Sequence, residues 1–210
     1  MTSLLAQTTK SLPGPNPWLP PQASSVAGNV DFLLDFILWI TVFFTVLILA
    51  MMVFFAIKYR HKKGGKPQPS AGHSTSLELT WTIIPTILVV IIFFLGFREY
   101  LNMIVVPPNT YEIRAHGYMW GWTFFYPNGH TKAGELHVPE DTNVRIVLTS
   151  EDVIHALYIP ALRLQKSNVP GRYNKMWFRA KFVNPDAAER PTADGKPYTE
   201  SHLIYCNQYC

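Results

Sequence analysis

Cysteine is nearly absent from this chain. Only Cys206 and Cys210 occur among 210 residues, so a single intrachain pair is possible and it would close a very small loop. Charge is also sparse, at 15% of residues, and two stretches have none. Phe36 to Ile57 runs for 22 residues and Leu79 to Phe97 for 19. A helix needs about 20 apolar residues to cross a bilayer core, and in lipid a lone segment can satisfy its backbone only as a helix. The chain has little other apolar helical sequence to bury two such helices, which argues against a soluble core. Residues 1 to 11 are too polar for the apolar part of a secretory signal, so no cleaved leader is expected. There is no internal repeat.

The formal net charge of +4 is unevenly placed. Lys58, Arg60, Lys62, Lys63 and Lys66 lie between the two apolar runs, while Asp31 and Asp35 flank the first. Basic residues beside membrane segments stay on the cytoplasmic side. The loop 58–66 is therefore expected on the cytoplasmic or mitochondrial matrix side of an inner membrane. The N-terminus and everything beyond about residue 100 are expected on the periplasmic or intermembrane side. From Val105 to Cys210 there are 11 Lys/Arg against 10 Asp/Glu. That near balance excludes a nucleic-acid footprint.

Three parts follow. Residues 1–29, rich in proline from Pro13 to Pro21, read as an extended outer segment lying on a partner. Residues 30–102 read as a transmembrane helical hairpin, with helices over about 30–60 and 76–102, Ser76 as the second N-cap and Pro85 as a kink. Residues 105–210 read as an extracytoplasmic all-β domain. Its expected strands are Tyr111–Ala115, Trp120–Tyr126, Glu135–Val138, Asn143–Thr149, Lys175–Phe182 and His202–Cys206. Residues 184–200 read as a long loop before the cysteines.

Two cysteines four apart suit either a disulfide, favoured by an extracytoplasmic setting, or a soft metal such as Cu(I) or zinc. A disulfide this local gains little from chain entropy, and zinc would want four side-chain ligands. His155 lies at the end of an expected strand, and a lone His beside apolar residues is ordinarily a packing residue. Together, a strand-end His and a late Cys-bearing loop suit a copper site of mixed nitrogen and sulfur donors.

Four segments in this order resemble subunit II of the haem-copper cytochrome c oxidases. They are Leu77-Glu78-Leu79-Thr80-Trp81-Thr82-Ile83-Ile84-Pro85, Gly117-Tyr118-Met119-Trp120-Gly121-Trp122-Thr123-Phe124, Asp152-Val153-Ile154-His155 through Pro170-Gly171-Arg172, and Cys206 to Cys210. The resemblance covers nearly the whole chain and implies a cupredoxin-like Greek-key β-sandwich or barrel after the helices. It implies a dinuclear copper centre, CuA, with both thiolates bridging, His155 as a ligand and the Gln208 backbone carbonyl completing part of the shell. It implies that Trp120 receives the electron from cytochrome c. It also implies that Glu78 stands at a proton-channel entrance; in isolation Glu78 reads as an acid stabilising a helix N-terminus. The partners implied are oxidase subunits I and III, cytochrome c and the lipid bilayer. Haem and the O₂-reducing, proton-pumping site would lie on subunit I.

This chain departs from the family pattern in places. The family's loop continues with a His four residues past the last Cys and a Met seven past it, so a chain ending at Cys210 is expected to hold CuA poorly or not at all. A Mg²⁺ site common in the family is expected to be weak or absent, because Gln208 and Asn168 stand where acids would serve a hard cation better. Glu151 and Asp152 are the acids expected to form part of a docking patch. The rivals are a quinol oxidase subunit II, which lacks the copper ligands, and a membrane-anchored copper-binding or thiol–disulfide protein.

Overall fold

The computed structural model describes residues 18–60, 72–183 and 199–208. The fold class is the expected one: two long apolar helices, then a β-sheet domain. Helix α1 spans Ala27–Lys58 and α2 spans Thr75–Ile104. Both are close to continuously apolar, so no helix face is polar enough to define an inside. None of the apolar window of either helix is buried, which removes the reading of a soluble core helix. α2 begins with the Glu78 amide donating to the Ser74 carbonyl. Ser74, not Ser76, is therefore the cap. The helix continues through Pro85, where Thr86 Oγ1 donates to the Thr82 carbonyl at 2.6 Å.

The β domain has two sheets. The first has five strands: β1 (Tyr111–Tyr118), β2 (Gly121–Phe125), β3 (Thr131–Ala133), β4 (Asn143–Ser150) and β7 (Asn174–Arg179), in spatial order β3-β2-β1-β4-β7. β1 pairs parallel with β4 and the other pairs are antiparallel. The second sheet has β5 (His155–Ile159) between β6 (Leu164–Asn168) and β8 (Tyr205–Cys206). Strand alternation sends Ile113 and Ala115 of β1, Val144, Ile146 and Leu148 of β4, and Met176 and Phe178 of β7 inward. They meet Leu157, Ile159 and Leu164 of the second sheet in one apolar core with Phe124. Each of these side chains larger than alanine contributes roughly 1.5–3 kcal/mol when fully buried.

Several expectations shift. Glu135–Val138 forms no strand; Leu136 and Val138 instead lean on the core from a loop. β3, β5 and β6 appear where no strand was expected. His155 opens β5 rather than ending β4. His202–Cys206 narrows to the two residues of β8.

The outer segment also differs. Residues 1–17 lie outside the described part, but Ala23 to Ser25 lie on the chain's own β domain. The Ala23 amide donates to the Ala161 carbonyl, the Ser25 amide to the Arg179 carbonyl, and the Lys181 amide to the Ala23 carbonyl. Ser24 Oγ donates to the Leu162 carbonyl at 2.9 Å. This strap therefore ties the end of β7 to the short turn Pro160–Leu162 between β5 and β6. Just beyond it, Arg163 Nε and Nη2 grip Asp31 at 2.6 and 2.9 Å, and Gln22 Nε2 donates to the same carboxylate at 2.8 Å. Both charged side chains are almost fully buried.

Candidate metal centre

The second sheet brings His155 and Cys206 together. Leu157 of β5 sits in register with Cys206 of β8, and the Asn207 amide donates to the Ala156 carbonyl. These bonds dock a two-residue strand against the start of β5. His155 is 1% exposed, and its Nδ1 lies 3.7 Å from Cys206 Sγ. The ring packs edge-on against Trp122, with centroids 6.0 Å apart. Gly117 makes room for both rings, since a Cβ there would sit 3.1 Å from Trp122 Cζ3 and 3.3 Å from the imidazole.

The other imidazole nitrogen is already engaged. His155 Nε2 lies 2.7 Å from Asp152 Oδ1. That oxygen also accepts from the Val153 amide at 2.7 Å, and Asp152 Oδ2 accepts from the Met119 amide at 2.8 Å. The bond from His155 chiefly, helped by the two amides, holds the Asp152 carboxyl well below the usual carboxylate range. Asp152, expected as a surface acid, is exposed and also directs its carboxylate to the His155 ring. Glu151 remains exposed and faces His116 Nε2 at 3.3 Å.

The sequence-derived site residues fall into three groups. His155 and Cys206 come together. Trp120 is 82% exposed beside Met119, on the segment that Asp152 holds. Gln208 is exposed two residues past Cys206. Cys210 lies outside the described residues, and among the described residues no cluster of three or more His, Cys, Asp or Glu gathers. Cys206 is disulfide-bonded in the structure. Asn168, the register partner of His155, is fully buried and donates Nδ2 to the Thr149 carbonyl. Its Oδ1 has no partner among the described residues.

Glu78 belongs to the helical part, in the first turn of α2. His73 Nδ1 lies 2.7 Å from Glu78 Oε1, and both side chains are exposed. Sequence reasoning passed over His73, although its place five residues before an acid at a helix start is a readable signal.

The donor chemistry fits a soft redox metal. A buried imidazole presents a nitrogen toward sulfur, while a carboxylate fixes the opposite nitrogen, as is usual behind metal-bound histidine.

Comparison with known proteins matches the chain to the transmembrane domain of cytochrome c oxidase subunit II over residues 15–98. It also matches the periplasmic domain of that subunit over residues 130–183. A probable cytochrome c oxidase subunit 2 of Rickettsia bellii is 28% identical over 190 residues, covering 79% of this chain and 70% of the relative. Cytochrome c oxidase subunit 2 of Alkalihalophilus pseudofirmus is 35% identical over 170 residues, covering 76% and 48%. The periplasmic domain of subunit II of cytochrome oxidase from Bradyrhizobium japonicum, a solved structure, aligns at TM-score 0.35 with 30% identity, covering 36% of this chain and 67% of that one. The chain spans from 48% to 70% of the length of eight curated relatives that it matches.

Proposed function

The chain belongs to the cytochrome c oxidase subunit II family, and from that premise we propose that it is the electron-accepting subunit of a terminal oxidase. It takes electrons from cytochrome c and supplies them to haem on subunit I, where O₂ is reduced to water and protons are pumped. Subunit III completes the assembly. The two apolar helices make the chain a membrane protein. In this proposal they anchor it against subunit I, with the β domain outside and the loop 58–66 inside.

One observation carries the reading: His155 Nδ1 faces Cys206 Sγ at 3.7 Å while Nε2 is held from behind. Cys206, Cys210, His155 and the backbone carbonyl of Gln208 would hold a dinuclear copper, which would supply one-electron transfer with little reorganisation. Sulfur ligates as thiolate, so a dithiol must first open the Cys206 disulfide. Trp120 offers an exposed indole as the contact for the donor. Trp122 and Gly117 keep the His155 ring in place from the far side. Glu78, with His73 beside it, is proposed as the proton-channel entrance. Mg²⁺ is left out, since Gln208 and Asn168 carry amides and Asn168 is turned into the core.

The Cys206 disulfide favours one rival, a thiol–disulfide protein. Metal analysis of the assembled oxidase separates the two. Two coppers with a purple absorption support the oxidase reading, and a copper-free disulfide removes it. In the same preparation, Trp120→Phe should slow electron uptake from cytochrome c about tenfold or more while leaving the copper spectrum intact. A changed spectrum with normal uptake refutes the role of Trp120.

A further inference from the structure

We propose that Asp152 is a positioning residue serving both ends of the electron path: Oδ1 holds the His155 ring, and Oδ2 anchors the Met119 amide beside Trp120. This rests on the roles proposed above for His155 and Trp120. An ionised carboxylate can only accept, so His155 Nε2 must carry the ring proton. Nδ1 is the ring nitrogen turned toward Cys206 Sγ. The same carboxylate accepts from the amide of Met119, one residue before Trp120 in the chain. The Val153 amide, also on Oδ1, pins the carboxylate itself. A single side chain thereby contacts both the ligand ring and the segment that carries the exposed indole.

Few neighbouring acceptors compete for the ring, Asn168 Oδ1 being the buried one left open among the described residues. The His155 ring meets Trp122 on one side and the Gly117 backbone on another. Its register partner Asn168 spends Nδ2 on Thr149. Glu151 turns instead to His116. Two parts of the chain 33 residues apart, at Met119 and Asp152, are joined at the site by this carboxylate as well as by the Glu151 amide donating to the Gly117 carbonyl.

The test uses the reduced, metal-free full chain in detergent, labelled with ¹⁵N. Imidazole nitrogen shifts report the His155 tautomer, and amide exchange reports Met119. In the unsubstituted chain His155 should be protonated at Nε2 and the Met119 amide protected. Asp152→Ala should mix the tautomers and speed Met119 exchange about 10- to 100-fold. Asp152→Asn has one acceptor oxygen, so it should keep either the tautomer or the Met119 protection, but not both. An alanine variant with an unchanged tautomer and unchanged Met119 exchange overturns the proposal, and so does an asparagine variant that keeps both. Protection at Ile113 and Ile146 reports folding, and if the alanine variant loses it the asparagine variant decides. No copper enters these readouts, so failure of the copper reading appears separately, in metal analysis of the unsubstituted oxidase.

Discussion

At the scale of single residues, the site depends on small allowances. Gly117 is one. Its contacts at 3.1 and 3.3 Å are to two rings, not to flexible side-chain ends. Gly117→Ala must therefore push Trp122 or His155 by a few tenths of an ångström, at a cost of about 1–3 kcal/mol. A lowered melting temperature together with a shifted His155 ring signal is the expected result, and an unchanged melt refutes it. His155 was legible in the sequence because a lone histidine stood some fifty residues before the only cysteines. Asp152 was not, because an acid in Ser150-Glu151-Asp152 looks like any surface turn. One of its three hydrogen bonds comes from Met119, a residue far off in sequence.

At the scale of elements, β1 and β4 were readable because their apolar residues alternate with polar ones. β6, Leu164-Gln165-Lys166-Ser167-Asn168, has one apolar residue and becomes a strand only because β5 lies beside it. Glu135–Val138 alternates as a strand should, yet among the described residues no neighbour pairs with it as one. The strap at Ala23–Ser25 was invisible for the opposite reason: small polar residues among prolines carry no periodic signal. Its anchor is the Asp31–Arg163 pair. Asp31→Ala leaves a buried guanidinium without its charge partner and should cost about 3–5 kcal/mol. Replacing both together, with Asp31→Leu and Arg163→Met, should recover most of that loss in thermal unfolding. A double variant no better than the single one would show that the pair is not the anchor.

At the scale of the whole chain, the described residues on either side of the two helices, those before Phe32 and those from Tyr100 onward, belong to one compact unit. The bonds joining them run through Ala23, Ser25, Asp31 and Arg163. A bilayer cannot separate groups that bond backbone to backbone. Whatever leaves this unit at the first helix has to return to the face it left. In the topology proposed above, the parity of the crossings would follow from these bonds, with the basic loop 58–66 deciding only which face. Reversing that loop's charges should move the N-terminal and C-terminal halves of the unit together. Labelling with a membrane-impermeant reagent at sites in the 18–26 segment and in the β domain should find both on one side in every variant. Finding them on opposite sides would mean that the strap is not formed in the membrane. The three residues Ala23 to Ser25 thus act as a topological latch: they make an odd number of spans incompatible with a finished fold.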